Sequence, residues 1–331
     1  MLSRRLSKVC RRSGLSCNTT LVSDASAETV LNLLYEDLRP KCQKFSLSTV
    51  VENNNKKHRL NVGVIGAGRI ASSVHIPNVL RDRRYNISWI IEDSNQQTVK
   101  VQEDLFLQDI PFFKSMDRKR LLADKGLDAV FIFSPTSTHA ELICDSLKEG
   151  KSVMVEKPTA ESYTDIKTCY DTAENNGAIL LTSFQRRFDS AFDELKKTVL
   201  SRSLGELQLL RLTSRDNPKP SYEFLSNTDI TGCNLISDMA VHDIDMMVWL
   251  TSCSEPESVY VMTHIRDETL QKIREPDAGV ISIKFKNGMI ATIDVFRESV
   301  YGYDIRAEAR PAFFYFSNKL SYQYVGFSLK N

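Results

Sequence analysis

Residues Asn61 to Ala71 read NVGVIGAGRIA, and no other stretch leaves the chain so little choice of fold. The apolar run Val62 to Ile65 ends in Gly66-Ala67-Gly68, and the third small position of the pattern falls on Ala71, where helical patterning has begun. A buried parallel strand, a tight glycine turn and a helix start, in that order, suit the pyrophosphate of a dinucleotide. Gly66 permits the turn, Gly68 lets the backbone approach phosphate with no Cβ in the way, and Ala71 lets the helix pack closely on the strand. Gly66, Ala67, Gly68, Arg69 and Ile70 are therefore the expected cofactor cradle.

Downstream, apolar runs at Val62 to Ile65, Ile87 to Ile91, Ala129 to Phe133 and Ser152 to Val155 alternate with helix-length segments at Arg69 to Val79, Asn95 to Leu105 and Thr138 to Lys148. Such alternation means βαβ units and a parallel sheet. Thr138-His139-Ala140-Glu141 has the spacing of a capping box and predicts the start of the last of these helices. Glu161 to Asn175 and Ala178 to Ser183 complete the domain with a helix and a strand.

In open parallel sheets ligands lie outside the carboxyl ends of the strands. Glu92 follows the second strand, 26 residues beyond Gly66, where an acid accepts hydrogen bonds from the adenosine ribose hydroxyls. Its neighbour is Asp93, so a 2′-phosphate would meet two negative charges and NAD is favoured over NADP. The alternative is a pair of ordinary loop acids. Ser134, Thr136 and His139 follow the strand ending at Phe133, and Glu156-Lys157-Pro158 follows Val155. A lysine there points at the nicotinamide end of the crevice, although most lysines are plain surface residues.

Beyond Gln185-Arg186-Arg187-Phe188-Asp189, a helix is expected over Asp189 to Leu200 and strands over Leu207 to Ser214, Ser258 to Thr263, Gly279 to Phe285 and Met289 to Val295. Lys286-Asn287-Gly288 joins the last two as a hairpin. The segment Ser237 to Leu250, SDMAVHDIDMMVWL, reads as one helix with Asp238 and His242 four apart on one face. An imidazole held by a carboxylate can take a hydroxyl proton as hydride leaves the carbinol carbon. Asp245, three residues on, reaches the same cleft. An Asp/His pair on a helix is by itself more often structural.

The order GAGRIA, SPTSTH, EKP, SFQRRFD and SRDNP resembles the Gfo/Idh/MocA oxidoreductase family, and within it the inositol 2-dehydrogenase branch, from about Asn61 to Asp304. The pattern D-x-x-x-H-x-x-D matches Asp238, His242 and Asp245. The resemblance implies an α/β chain whose N-terminal Rossmann NAD-binding domain is followed by an α+β domain with a mostly antiparallel open sheet. It implies hydride transfer from a secondary hydroxyl of a cyclic polyol such as myo-inositol, with Lys157 polarising that hydroxyl and Asp238 and His242 as proton relay. Arg186 and Asp245 then bind polyol hydroxyls; otherwise Arg186 reads as an arginine at a helix start paired with Asp189. A related sugar or diol dehydrogenase, or a non-catalytic nucleotide-binding protein, are the other readings.

Two features depart from that family. The strand around Tyr301 to Glu308 is followed by Ala309-Arg310-Pro311 rather than a glycine turn, so the closing elements are expected to be absent and residues 309–331 to form an unrelated tail. An intact family member would be a homo-oligomer; a shortened second domain puts that contact in doubt. Residues 1–58 form an extension ahead of the expected domains, 59–184 and 185–331. Arg4, Arg5, Lys8, Arg11 and Arg12 with no acid before Asp24 suit a mitochondrial transit peptide or a solvated basic tail, which leaves matrix and cytoplasm open.

With 43 basic and 42 acidic residues the charge is near balance, against a nucleic-acid partner. Apolar runs fall far short of the ~20 residues of a membrane span. The seven cysteines are odd in number, widely spread and lack C-x-x-C, so they read as reduced thiols, and no cluster has metal-ligand spacing.

Overall fold

The computed structural model describes residues 59–202, 205–226, 234–252, 255–311 and 316–320. The extension and its transit-peptide expectation lie outside these. Two compact units divide between Phe184 and Gln185. Among the described residues no helix is long and apolar enough to cross a membrane.

The first unit is a parallel sheet of β1 (Leu60–Ile65), β2 (Tyr85–Ile91), β3 (Phe112–Phe113), β4 (Ala129–Ile132), β5 (Ser152–Val155) and β6 (Leu180–Thr182), in the order β3-β2-β1-β4-β5-β6. Every neighbouring pair is parallel. The order reverses between β1 and β4, which puts the ligand crevice of a doubly wound sheet at their carboxyl ends. Val62 and Val64 pack on one face with Ile76, Ile87, Ile90, Phe131 and Phe133, while Ile65 packs on the other with Trp89, Ile91, Val130, Ile132 and Ile143. Burial on both faces explains why these strands are near-continuous apolar runs. Each fully buried Val, Leu or Ile contributes roughly 1.5–3 kcal/mol.

Helix α1 (Ile76–Arg81) is preceded by a π turn, Ala71–His75, inside the single helix expected from the sequence. The Ile76 N–H reaches back to Ala71 O, and Pro77 beside it has no N–H to continue an α ladder. Helix α2 (Asn95–Leu105) has the expected bounds, and Ser94 caps it by accepting the Gln97 N–H at 3.2 Å. The short α3 (Arg118–Leu122), α4 (His139–Lys148) and α5 (Tyr163–Asn175) follow. The capping box expected at Thr138 does not form. Thr138 already has helical backbone angles at the end of a 3-10 turn, its hydroxyl donates to Pro135 O at 2.7 Å, and Glu141 is taken by Arg118.

The second unit carries α6 (Ser190–Ser201), α7 (Tyr222–Ser226), α8 (Val241–Thr251) and α9 (Glu268–Ile273), with β7 (Leu207–Arg215), β8 (Pro256–His264), β9 (Ala278–Phe285), β10 (Ile290–Phe296), β11 (Asp304–Pro311) and β12 (Phe316–Leu320). The sheet order is β12-β11-β7-β10-β9-β8, antiparallel except between β7 and β10. The expected Lys286–Gly288 turn joins β9 to β10, with Gly288 donating to Phe285 O at 2.9 Å. Helix α8 packs on β7 and β10, covering a face built from Leu210, Leu212, Ile281, Ile293 and Val295.

The expected change to an unrelated tail at Ala309 does not occur there. Ile305, Ala307 and Ala309 are buried while Arg306, Glu308 and Arg310 are not, so the period-two pattern continues and β11 pairs with β7 through Pro311. Residues 312–315 and 321–331 lie outside the described part.

Candidate active site

The glycine turn has two different reasons for its glycines. Gly66 sits at φ 91°, and a Cβ there would lie 2.8 Å from the backbone of Phe133 and Ser134. The fold itself therefore demands glycine at this position. A Cβ at Gly68 would meet nothing within 4 Å, so packing within the protein does not demand glycine there. Arg69 and Ile70 are exposed and Ala67 is buried.

Glu92 closes the turn from the far side. Its Oε2 accepts the Ala67 N–H at 3.0 Å and its Oε1 the Ser94 N–H at 2.9 Å. A carboxylate has about four acceptor positions, so about two remain beyond these backbone bonds. Asp93 is held below the usual carboxylate range by the Ser115 hydroxyl and N–H. A basic residue does reach this corner, which the sequence did not reveal: Lys114 comes from the end of β3. Its Nζ donates to Glu92 O at 3.1 Å, Asp93 O at 3.0 Å and Asn95 Oδ1 at 2.6 Å, which uses its three donors within the protein.

At the ends of β4 and β5 the expected residues converge but play different parts. Ser134 Oγ lies 2.7 Å from Thr138 Oγ1, and Thr136 is buried. His139, expected to touch the cofactor, is only 1% exposed and faces inward. Its Nδ1 lies 2.9 Å from Pro158 O and its Nε2 2.9 Å from Ser134 O, so it ties the two strand-end turns together. The two carbonyls favour a protonated ring, but burial is the larger effect and lowers its pKa. Glu156 Oε1 meets His75 Nε2 at 2.6 Å and Oε2 accepts the Lys157 N–H at 3.0 Å.

In the second unit, Asp238 lies in a π turn, Leu235–Ala240, and His242 in α8. The expected single α-helix is thus two segments, opened by Asn234, which caps the π turn with Ser237 in a reciprocal capping box. Asp238 Oδ2 accepts from Arg297 Nη1 at 3.2 Å, and Arg297 Nη2 donates to Glu275 at 2.8 Å. Arg297 is 0% exposed. Burial pushes the Glu275 carboxyl up, against the pull of Arg297.

Arg186 and Asp245 are each closed into an ion pair. Arg186 donates to Asp243 Oδ1 at 2.7 Å and to Ser214 Oγ at 2.9 Å, while Asp245 accepts Arg187 Nε at 2.9 Å and 3.1 Å. The alternative partner of Arg186, Asp189, instead caps α6 through Ala191 N at 2.9 Å. Burial raises the pKa of both Asp243 and Asp245. Among the described residues no group of His, Cys, Asp and Glu is arranged to hold a metal ion.

The sequence pattern described as the oxidoreductase family, NAD-binding Rossmann fold, matches residues 60–184, and that of the GFO/IDH/MocA C-terminal domain matches residues 192–310. A Bacillus subtilis protein described as the uncharacterized oxidoreductase YrbE is 33% identical over 247 residues, 74% of this chain and 70% of that protein. The myo-inositol 2-dehydrogenase of Thermotoga maritima is 32% identical over 250 residues, 75% of this chain and 72% of that enzyme. The crystal structure of a probable dehydrogenase from Thermotoga maritima superposes with a TM-score of 0.70 at 30% identity, covering 78% of this chain and 76% of that one. The chain therefore belongs to the Gfo/Idh/MocA oxidoreductase family, and its first unit is an NAD-binding Rossmann domain.

Proposed function

We propose that the chain is an NAD-dependent dehydrogenase that oxidises a secondary hydroxyl of a cyclic polyol, such as C2 of myo-inositol, to the ketone. The similarity to the myo-inositol 2-dehydrogenase supports the substrate class. The observation that carries the reading is the grip of buried Arg297 on Asp238, which fixes a carboxylate in the segment leading to His242.

When bound, NAD supplies the nicotinamide carbon that accepts the hydride. Gly66 to Ile70 would hold its pyrophosphate and Glu92 its adenosine ribose, with Ser134, Thr136, His139 and Glu156 shaping the strand ends. Lys157 polarises the carbinol oxygen. His242 takes the hydroxyl proton as the C–H bond breaks and the C=O bond forms, and Asp238 offsets the charge of the resulting imidazolium. Arg186 and Asp245 contact substrate hydroxyls through the capacity their ion pairs leave over: a guanidinium has five donors, of which two are used by Asp243 and Ser214.

The test is NADH formation with a panel of inositols, sugars and small diols. Turnover with a cyclic polyol supports the reading. A chain that binds NAD and is silent across the panel contradicts it.

A further inference from the structure

His75 ends the π turn that follows the glycine turn, and neither the fold nor the proposed chemistry explains its contacts. Its ring stacks on Phe133, with centroids 4.1 Å apart and planes 7° apart. Nε2 lies 2.6 Å from Glu156 Oε1, and the other carboxylate oxygen accepts the backbone N–H of Lys157 at 3.0 Å. One carboxylate therefore links the π turn to the residue proposed to polarise the substrate. From the other side His139 Nδ1 meets Pro158 O at 2.9 Å, so the Glu156-Lys157-Pro158 turn is held on both flanks by imidazoles.

The His75 and Glu156 side chains are 13% and 17% exposed. Removing a charged or strongly polar pair this far from water is a poor way to gain stability. Its effect is direction: a short, charge-assisted hydrogen bond fixes where both partners point. Stacking on Phe133 fixes the imidazole plane in turn, and Phe133 belongs to the same backbone that Gly66 approaches.

We propose that His75 is a positioning residue that, through Glu156, sets the backbone of Lys157 and so the place of its ammonium group. The catalytic half of this inference rests on the reading of Lys157 given above. The structural half does not.

Two variants separate the parts of the contact. His75→Phe keeps a ring to stack on Phe133 and loses the nitrogen; His75→Gln keeps an N–H donor and loses the stack. Amide hydrogen exchange at Lys157 in the full chain reads the grip directly. It is expected to quicken about tenfold or more in His75→Phe with the melting temperature nearly unchanged, and to stay near wild type in His75→Gln. Turnover is expected to fall on the order of 10- to 100-fold in His75→Phe, with NAD affinity unchanged and partial rescue in His75→Gln.

Unchanged Lys157 exchange in a folded His75→Phe protein overturns the proposal. So does faster exchange with unchanged turnover in a chain whose Lys157→Ala variant is dead. If wild type and Lys157→Ala turn over equally, the reading of Lys157 fails instead, and the exchange result then stands apart as the measure of the grip alone.

Discussion

The Ala67 backbone N–H donates to Glu92 Oε2 at 3.0 Å across 25 residues of sequence. The glycine turn and the acid that follows β2 are thus one hydrogen-bonded unit. Gln97 adds to it by donating to Ala67 O at 2.6 Å. In the proposed reading these two parts hold the phosphate and ribose of NAD, and fixing them to each other before the ligand arrives lowers the ordering cost of binding.

The two glycines of that turn should separate under substitution. Gly66→Ala forces a side chain into φ 91° and against the Phe133 backbone, and should destabilise the chain by about 2 kcal/mol or more. Gly68→Ala meets open space and should leave the melting temperature near wild type while weakening NAD at least about tenfold. Thermal melts and calorimetric titration with NAD check both. Full NAD affinity in Gly68→Ala would remove the turn as the phosphate seat.

Glu92→Gln keeps one acceptor oxygen and removes the charge. NAD affinity should fall about tenfold with little effect on NADP, narrowing the preference between them. Measuring both dissociation constants in the variant and wild type decides it. An unchanged ratio would mean that Glu92 does not read the ribose.

Much of this architecture is legible in the sequence, for identifiable reasons. Strands buried on both faces leave apolar runs, and a positive φ at Gly66 leaves a glycine. What the sequence hides are partners chosen over long distances. Glu141 looks like a capping residue, yet Arg118, 23 residues away, takes it. Asp189 is the near partner for Arg186, but it is used in capping α6, and Asp243, 57 residues away, pairs instead. Arg297 reaches Asp238 across 59 residues and Glu275 across 22, so nothing local marks it. The π turns are equally silent, since a shift of one hydrogen bond barely alters side-chain periodicity.

Arg297→Met should cost about 3–5 kcal/mol, because it leaves the buried Glu275 carboxyl without the guanidinium that pairs with it. Adding Glu275→Gln should recover much of that stability without recovering turnover, since Asp238 still lacks its anchor. Chemical denaturation and NADH formation on the single and double variants check this. Restored turnover in the double variant would show that Arg297 acts on stability alone.

Burial lowers the pKa of His139 below its ordinary 6.5 despite the two carbonyls at its ring nitrogens, so the folded chain takes up this proton less readily than the unfolded chain does. The unfolded state binds more protons as pH falls. The stability His139 contributes is therefore present above about 6.5 and is lost as pH falls toward the folded-state pKa. Replacing it by glutamine should flatten the fall in melting temperature between roughly pH 7 and 5. An unchanged slope in His139→Gln would argue against a pKa lowered by burial.

The proposed hydride transfer from a cyclic polyol to NAD, with Lys157 at the reacting hydroxyl, underlies every other role assigned to these residues. NADH formation from myo-inositol, its stereoisomers and a set of sugars, followed for wild type and Lys157→Ala side by side, is the decisive measurement. Wild type is expected to turn over a cyclic polyol, and Lys157→Ala to lose about 100-fold or more of that rate with NAD affinity nearly intact. NAD binding without NADH formation from any of these alcohols, or equal turnover by the two proteins, would contradict it.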